Sequence, residues 1–225
     1  MATRPLHFIW ITDCSGSMSV DGKMQALNNA IRETIPHMKG VADENPNADV
    51  LIRAIKFSSG AQWHISQPTK VEDFIWNDLS ADGVTDLGKA LEMVADELKI
   101  PPMTDRALPP VLVLLSDGQP TDNYTKGIDA LMAQNWGKKA VRIAIAIGED
   151  ADLEALQKFI GNTEIKPLQA NNPEALVRYI KWVSTVVLQS ASSPASQTST
   201  DAPTSNVAVP APVAVDDIDD ASDVW

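Results

Sequence analysis

Apolar residues occur along this chain in two rhythms: short continuous runs, and longer stretches in which they recur every three or four positions. The first run, residues 6–12, is rich in β-branched and aromatic side chains and reads as a buried strand. From Lys23 to about Asn45, Met24, Leu27, Ile31, Ile35 and Met38 share one helical face. Pro36 is expected to kink that helix or end its regular part. Val50–Phe57 is a second strand and Gln62–Ser66 a third, joined as a hairpin through Ser58-Ser59-Gly60. After the loop Asp82–Thr85, Leu87, Leu91, Val94 and Leu98 mark a helix that Pro101-Pro102 ends.

Val111–Leu115 is apolar at every position, as expected of a strand covered on both faces. Tyr124–Trp136 reads as a helix stopped by Gly137, Val141–Ile147 as a strand, Asp152–Ile160 as a short helix and Ile165–Leu168 as a last strand. Pro173 opens a final helix, where its missing N–H costs nothing, and Leu176, Ile180, Val183 and Val187 form its buried face. Strands alternating with helices predict an α/β fold. It should be doubly wound and Rossmann-like, with a mainly parallel central sheet, helices on both faces and one antiparallel edge strand. Residues 1–189 make up that domain. From Ser190 the composition turns to Ser, Thr, Ala, Pro and Asp, with no aromatic residue before Trp225. Such a segment buries too little apolar surface to offset chain entropy, so 190–225 is expected to be a disordered acidic tail.

Charge narrows the function classes. The net charge is -12, and six acids but no bases lie in 190–225, so half of it belongs to the tail. A duplex nucleic-acid binder would need a basic face, which this balance argues against. A single cysteine, Cys14, excludes an internal disulfide. Met1–Leu6 lacks the basic and long apolar regions of a signal peptide, and no apolar run approaches the roughly 20 residues of a membrane span. The expectation is a soluble, cytoplasmic protein that needs no membrane.

The candidate chemistry lies at strand ends. Asp13, Ser15 and Ser17 follow the first strand in alternate positions, Thr85 lies in the loop before a helix, and Asp117 directly follows the Val111–Leu115 run. In a doubly wound sheet, ligands bind at the carboxyl ends of the strands, where the strand order reverses. Two carboxylates and three hydroxyls there are a donor set for a hard divalent cation, Mg2+ first, with Mn2+ or Ca2+ as substitutes.

The pattern Asp-x-Ser-x-Ser, then Thr, then Asp resembles the metal-ion-dependent adhesion site of the von Willebrand factor A family, and residues 6–188 resemble its fold throughout. The resemblance implies that Ser15, Ser17 and Thr85 contact Mg2+ through hydroxyls, and Asp13 and Asp117 directly or through water. A partner protein's Asp or Glu would complete the shell. The family often has Gly before its Thr; here Val84 stands there, with Gly83 one earlier. A narrower resemblance, to the TerY-type proteins of bacterial tellurite-resistance and stress systems, rests on Asp117-Gly118-Gln119-Pro120-Thr121-Asp122, Asn135-Trp136-Gly137 and Tyr179–Ser184. It implies an adaptor, not an enzyme, with a Ser/Thr kinase and a PP2C-type phosphatase among its partners. An AAA+ ATPase partner, as in chelatases, is the neighbouring alternative.

Rival chemistries find less support. Gly83 to Lys89 nearly matches a phosphate-binding loop, but Ala90 replaces the hydroxyl that would hold Mg2+, and the preceding residues are too polar for a buried strand. A metal-assisted hydrolase using the same site is the other enzymatic alternative. A haloacid-type phosphatase needs a second Asp where Ser15 stands, no G-x-S-x-G elbow occurs, and His7, His37 and His64 lack zinc-ligand spacing. Cys14 reads as a small buried side chain, since neighbouring carboxylates disfavour its thiolate. Asp86 and Asp122 read as helix caps, and Tyr179 and Trp182 as packing residues. Asp216–Asp220 with Ile218, Val224 and Trp225 reads as a docking motif for a basic groove or for another copy's metal site. Ser and Thr residues of 190–205 are candidate sites for an associated kinase.

Overall fold

The computed structural model describes residues 3–193 and 207–212. Six strands form one sheet in the order β3-β2-β1-β4-β5-β6. They are β1 (Arg4–Asp13), β2 (Ala48–Ser58), β3 (Gly60–Lys70), β4 (Val111–Ser116), β5 (Val141–Ile147) and β6 (Leu168–Ala170). All neighbours pair in parallel except β2 with β3, which form an antiparallel hairpin at one edge. Pro68 lies within β3, a place open to proline because an edge strand has a side with no ladder to lose.

The continuous apolar runs resolve into two faces. Phe8, Trp10, Val113, Leu115, Ile143 and Ile145 belong to one core, covered by α1 (Lys23–Asp43) and α6 (Pro173–Trp182). Their neighbours Ile9, Ile11, Leu112, Leu114, Ala144 and Ala146 belong to the other core. That second core is covered by α2 (Leu87–Glu97), α3 (Tyr124–Ala133), α4 (Asn135–Lys139) and α5 (Leu153–Ile160). A strand buried on both sides needs apolar residues at every position, which is why these runs do not alternate.

Several boundaries differ from the sequence expectation, each for a local reason. Helix α1 does not end at Pro36; it runs on to Asp43. Pro36 and Arg32 both lie on its exposed face, so water can satisfy the Arg32 carbonyl that proline leaves without a donor. Gly137 does not stop a helix. The break is at Gln134, which is extended, and Gly137 sits inside α4. An ideal Cβ there would lie 1.9 Å from the Leu131 carbonyl oxygen, so the turn between α3 and α4 admits only glycine. The last strand is Leu168–Ala170, not Ile165–Leu168; Ile165 packs on the core from the preceding loop. Beyond α6 the chain forms one wide π-helical stretch, Val183–Val187, and then α7 (Leu188–Ser192). Asn45 Nδ2 donates to the Ser192 carbonyl at 3.1 Å, tying α7 to the end of α1. The expected disorder of the tail, its acidic motif and its candidate phosphorylation sites fall mostly outside the described residues. Residues 207–212 are described, and Val207 and Val209 pack against the first core.

Strand order reverses between β1 and β4: successive strands run outward from β1 on one side and from β4 on the other. Their carboxyl ends therefore open a crevice beneath Asp13 and Asp117.

Candidate metal centre

Asp13, the last residue of β1, is fully buried. Its Oδ1 accepts from the Ser15 backbone N–H at 2.8 Å, which turns the chain sharply out of the strand. Its Oδ2 accepts from Ser116 Oγ at 2.5 Å, across the β1–β4 boundary. The turn sets Ser15 Oγ 3.0 Å from Ser17 Oγ, and Ser17 Oγ donates to Asp117 Oδ1 at 2.7 Å. Thr85 arrives on a third loop, laced to the other two through the backbone. Gly16 N–H donates to the Gly83 carbonyl (3.0 Å), Asp82 N–H to the Cys14 carbonyl (2.8 Å), and Thr121 N–H to the Thr85 carbonyl (2.9 Å). Gly83 has φ +83°, so the left-handed residue of this loop comes one position before Val84.

Gly118 shows how closely the groups converge. An ideal Cβ on it would lie 3.2 Å from Thr85 Oγ1 and 3.6 Å from Asp13 Oδ2. The structure thus draws together all five residues singled out in the sequence, and a side chain at 118 would intrude on the space between them.

Two buried carboxylates so placed repel one another. Burial pushes the Asp13 carboxyl above its ordinary range and the Asp117 charge adds to this, while bonds from Ser116 and Ser15 pull the other way. A divalent cation would relieve that repulsion. The donor set, two carboxylates with three hydroxyls, fits a hard ion such as Mg2+, which accepts oxygen ligands and commonly retains water. Among the described residues no three His, Cys, Asp or Glu side chains gather into a metal-sized group; here hydroxyls supply the remaining oxygens. Asp13, Asp117, Ser15 and Thr85 are buried, whereas Ser17 is exposed and marks the mouth.

Sequence reasoning missed Lys23. The first residue of α1, it is buried, and its Nζ lies 2.9 Å from Asp117 Oδ2. Gly148, at φ +82°, makes room for it: an ideal Cβ there would lie 3.1 Å from Lys23 Nζ. No feature of the sequence around Lys23 pointed to Asp117, 94 residues further on. The Lys23 ammonium takes up one carboxylate oxygen and would be a like charge beside a cation held by Asp117. Lys23→Met should therefore raise Mg2+ affinity about tenfold, or about 1.4 kcal/mol, while lowering the stability of the metal-free chain by stranding Asp117. Calorimetric titration with Mg2+ checks this; a lower affinity would show that Lys23 positions Asp117 instead of competing for it.

The flanking acids hold the loops. Asp122 does cap a helix, but one distant in sequence: its carboxylate accepts from Gly88 N–H and Lys89 N–H at the start of α2, both at 2.8 Å. Asp86 makes no side-chain cap of its own helix. It accepts from Gly60 N–H at 2.8 Å and from Thr121 Oγ1 at 3.2 Å. Cys14 is buried in the first core, and burial, followed by the Asp13 charge, pushes its thiol up to about 12. His64 bonds the Asn77 carbonyl at 2.8 Å through Nε2 and packs edge-on against Trp76, while burial lowers His7 to about 4. Gly88 and Lys89 lie within α2, and residues 74–86 ahead of it form no strand, so no strand leads into the near-match to a phosphate loop.

The family model for the von Willebrand factor type A domain matches residues 9–178, and the chain belongs to that family. Among solved structures it is similar to VWA2, the ArnB paralog of Sulfolobus acidocaldarius, at 19% identity and TM-score 0.60, over 81% of this chain and 46% of that one. It is similar to a von Willebrand factor type A protein of Catenulispora acidiphila at 17% identity and TM-score 0.62, over 84% and 44%. Proximal thread matrix protein 1 of the mussel byssus, solved with a zinc-occupied metal-ion-dependent adhesion motif, is similar at 16% identity and TM-score 0.59, over 84% and 48%. The chain thus spans about half the length of these structures, and at such identities the likeness is one of fold. None of the curated proteins matches it.

Proposed function

We propose that this chain is a non-enzymatic adaptor that binds Mg2+ through Asp13, Ser15, Ser17, Thr85 and Asp117 and uses the ion to recruit an Asp or Glu carboxylate from a partner protein. The observation that carries the reading is the convergence of two carboxylates and three hydroxyls from three loops at the switch point of the sheet. Bound there, the ion would supply charge and a coordination position, while the surrounding loops select the partner. Val20, three residues after Ser17, and Val84, next to Thr85, are about half exposed (51% and 47%), apolar surface that a partner could cover. Among the described residues no helix is long and apolar enough to cross a membrane. We place the protein in the cytoplasm.

A kinase and a PP2C-type phosphatase, in a tellurite-resistance stress system, are the partners implied by the TerY-type motifs. Those motif residues lace loops or pack helices here: Thr121 bonds Thr85 and Asp86, Asp122 caps α2, and Trp136 is buried. The partners' identity therefore rests on the resemblance. An AAA+ ATPase would meet the same face.

The immobilised chain should retain its partner from native cell extract in Mg2+, release it into EDTA, and fail to retain it as Ser17→Ala. Mass spectrometry of the released fraction separates kinase and phosphatase from an AAA+ ATPase. The purified chain with Mg2+ should turn over neither ATP nor a phosphate ester. Mg2+-dependent turnover lost in Asp117→Ala would replace the adaptor with a hydrolase.

A further inference from the structure

Strand β6 covers only part of its neighbour. Leu168, Gln169 and Ala170 pair with Ile145, Ala146 and Ile147 of β5, which leaves β5 from Val141 to Ala144 paired with β4 but beyond the reach of β6. An uncovered edge of this kind presents N–H and C=O groups to any extended chain that comes alongside.

A distant stretch of the same chain lies there. Val207 and Val209 border one cleft with Val141 and Arg142, and Val209 and Pro210 border the next with Ile143. Val207 and Val209 are half-buried and the intervening Ala208 is exposed, a side-chain alternation of period two, although 207–212 form no strand and add no ladder to the sheet. Pro210 and Pro212 carry no N–H, so pairing along a sheet edge cannot propagate through them. The wall of the second cleft includes Trp182, whose buried indole N–H has no hydrogen-bond partner among the described residues. Residues 207–212 leave that N–H unused, so what the wall offers them is its apolar, aromatic face, on which proline rings pack.

We propose that this edge of β5, with Ile165 and Trp182, is a peptide-docking site for an extended Val-x-Val-Pro strand, and that residues 207–212 are its resident ligand. Apolar side chains at alternate positions supply selectivity, and the prolines limit the docked length. The site lies apart from the metal centre, beside the first half of β5 and not at the carboxyl ends of β1 and β4, so it stands or falls independently of the adaptor reading.

A segment tethered by residues 194–206 competes at an effective concentration of about a millimolar. A free peptide that binds the open groove with a Kd of about 100 μM should then appear about tenfold weaker against the filled one. The test uses full-length chains and a fluorescein-labelled peptide of residues 206–212. The Val207→Asp/Val209→Asp chain should bind the peptide saturably, the unaltered chain about tenfold more weakly, and the opened chain carrying also Trp182→Ala not measurably. Amide exchange at Val141–Ile143 should speed up in the opened chain and slow again on adding peptide. Equal binding by the unaltered and opened chains, or no binding by the opened chain, would overturn the proposal. So would exchange at Val141–Ile143 that the substitutions leave unchanged.

Discussion

Asp13→Asn should lower Mg2+ affinity by at least about 100-fold while leaving the metal-free fold at least as stable as before. Removing groups that merely orient a ligand typically costs 10–100-fold, and Asp13 is one of two carboxylates in the donor set. The substitution is close to isosteric. An Asn Oδ1 can still accept from the Ser15 N–H, and the Ser116 hydroxyl keeps a polar neighbour. What is lost is a buried charge that burial and Asp117 both disfavour when no cation balances it. The metal-free variant is therefore relieved of a cost, and only the metal-bound state suffers. Thermal melts read both effects. A ligand that binds only the folded state stabilises by about 2.7 kcal/mol at 100 times its Kd, so Mg2+ should raise the melting temperature of the unaltered chain and leave Asp13→Asn unmoved. The same Mg2+ response in both chains would remove Asp13 from the metal shell.

The parts of this molecule that were legible in the sequence are those set by local pattern. Runs such as Val111–Leu115 are apolar at every position because both sheet faces are covered, and that pattern alone placed the central strands. The five residues of the candidate site could be named because each lies at the end of a strand or in a loop beside a strand end or a helix start, and the parallel sheet gathers such positions at one edge. Features set by tertiary contacts were not visible. Nothing near Lys23 in sequence announces Asp117 or the space that Gly148 leaves for it. Pro36 was read from its missing N–H, but the helix continues because that face is exposed. Gly137 looked like a helix stop, whereas its reason is a carbonyl oxygen on the preceding helix. The composition of the tail pointed to disorder and gave no sign that Val207 and Val209 would pack against the first core.

Gly127→Val should destabilise the fold by about 3 kcal/mol, at the upper end of the usual overpacking range, and weaken Mg2+ binding as well. Helices α2 and α3 meet backbone to backbone at Gly88 and Gly127. An ideal Cβ on Gly127 would lie 2.4 Å from the Gly88 carbonyl oxygen and 2.7 Å from its Cα. Neither is the end of a flexible side chain, so one helix must shift. The shift is opposed by the Asp122 carboxylate, which holds the N–H groups of Gly88 and Lys89. Helix α2 begins two residues after Thr85, whose N–H is in turn bonded to Thr121 Oγ1 at 3.0 Å. Moving α2 off α3 therefore pulls Thr85 away from the Asp117 loop. For a domain of this size, about 3 kcal/mol corresponds to a fall in melting temperature of about 10 °C. Gly40 supplies the control: it lies inside α1, and a Cβ there would meet nothing within 4 Å. Gly40→Ala should stabilise by about 0.5–1 kcal/mol, because alanine loses less backbone entropy in a helix. If Gly127→Val leaves Mg2+ affinity unchanged while lowering the melting temperature, the close approach of α2 and α3 is not what positions Thr85.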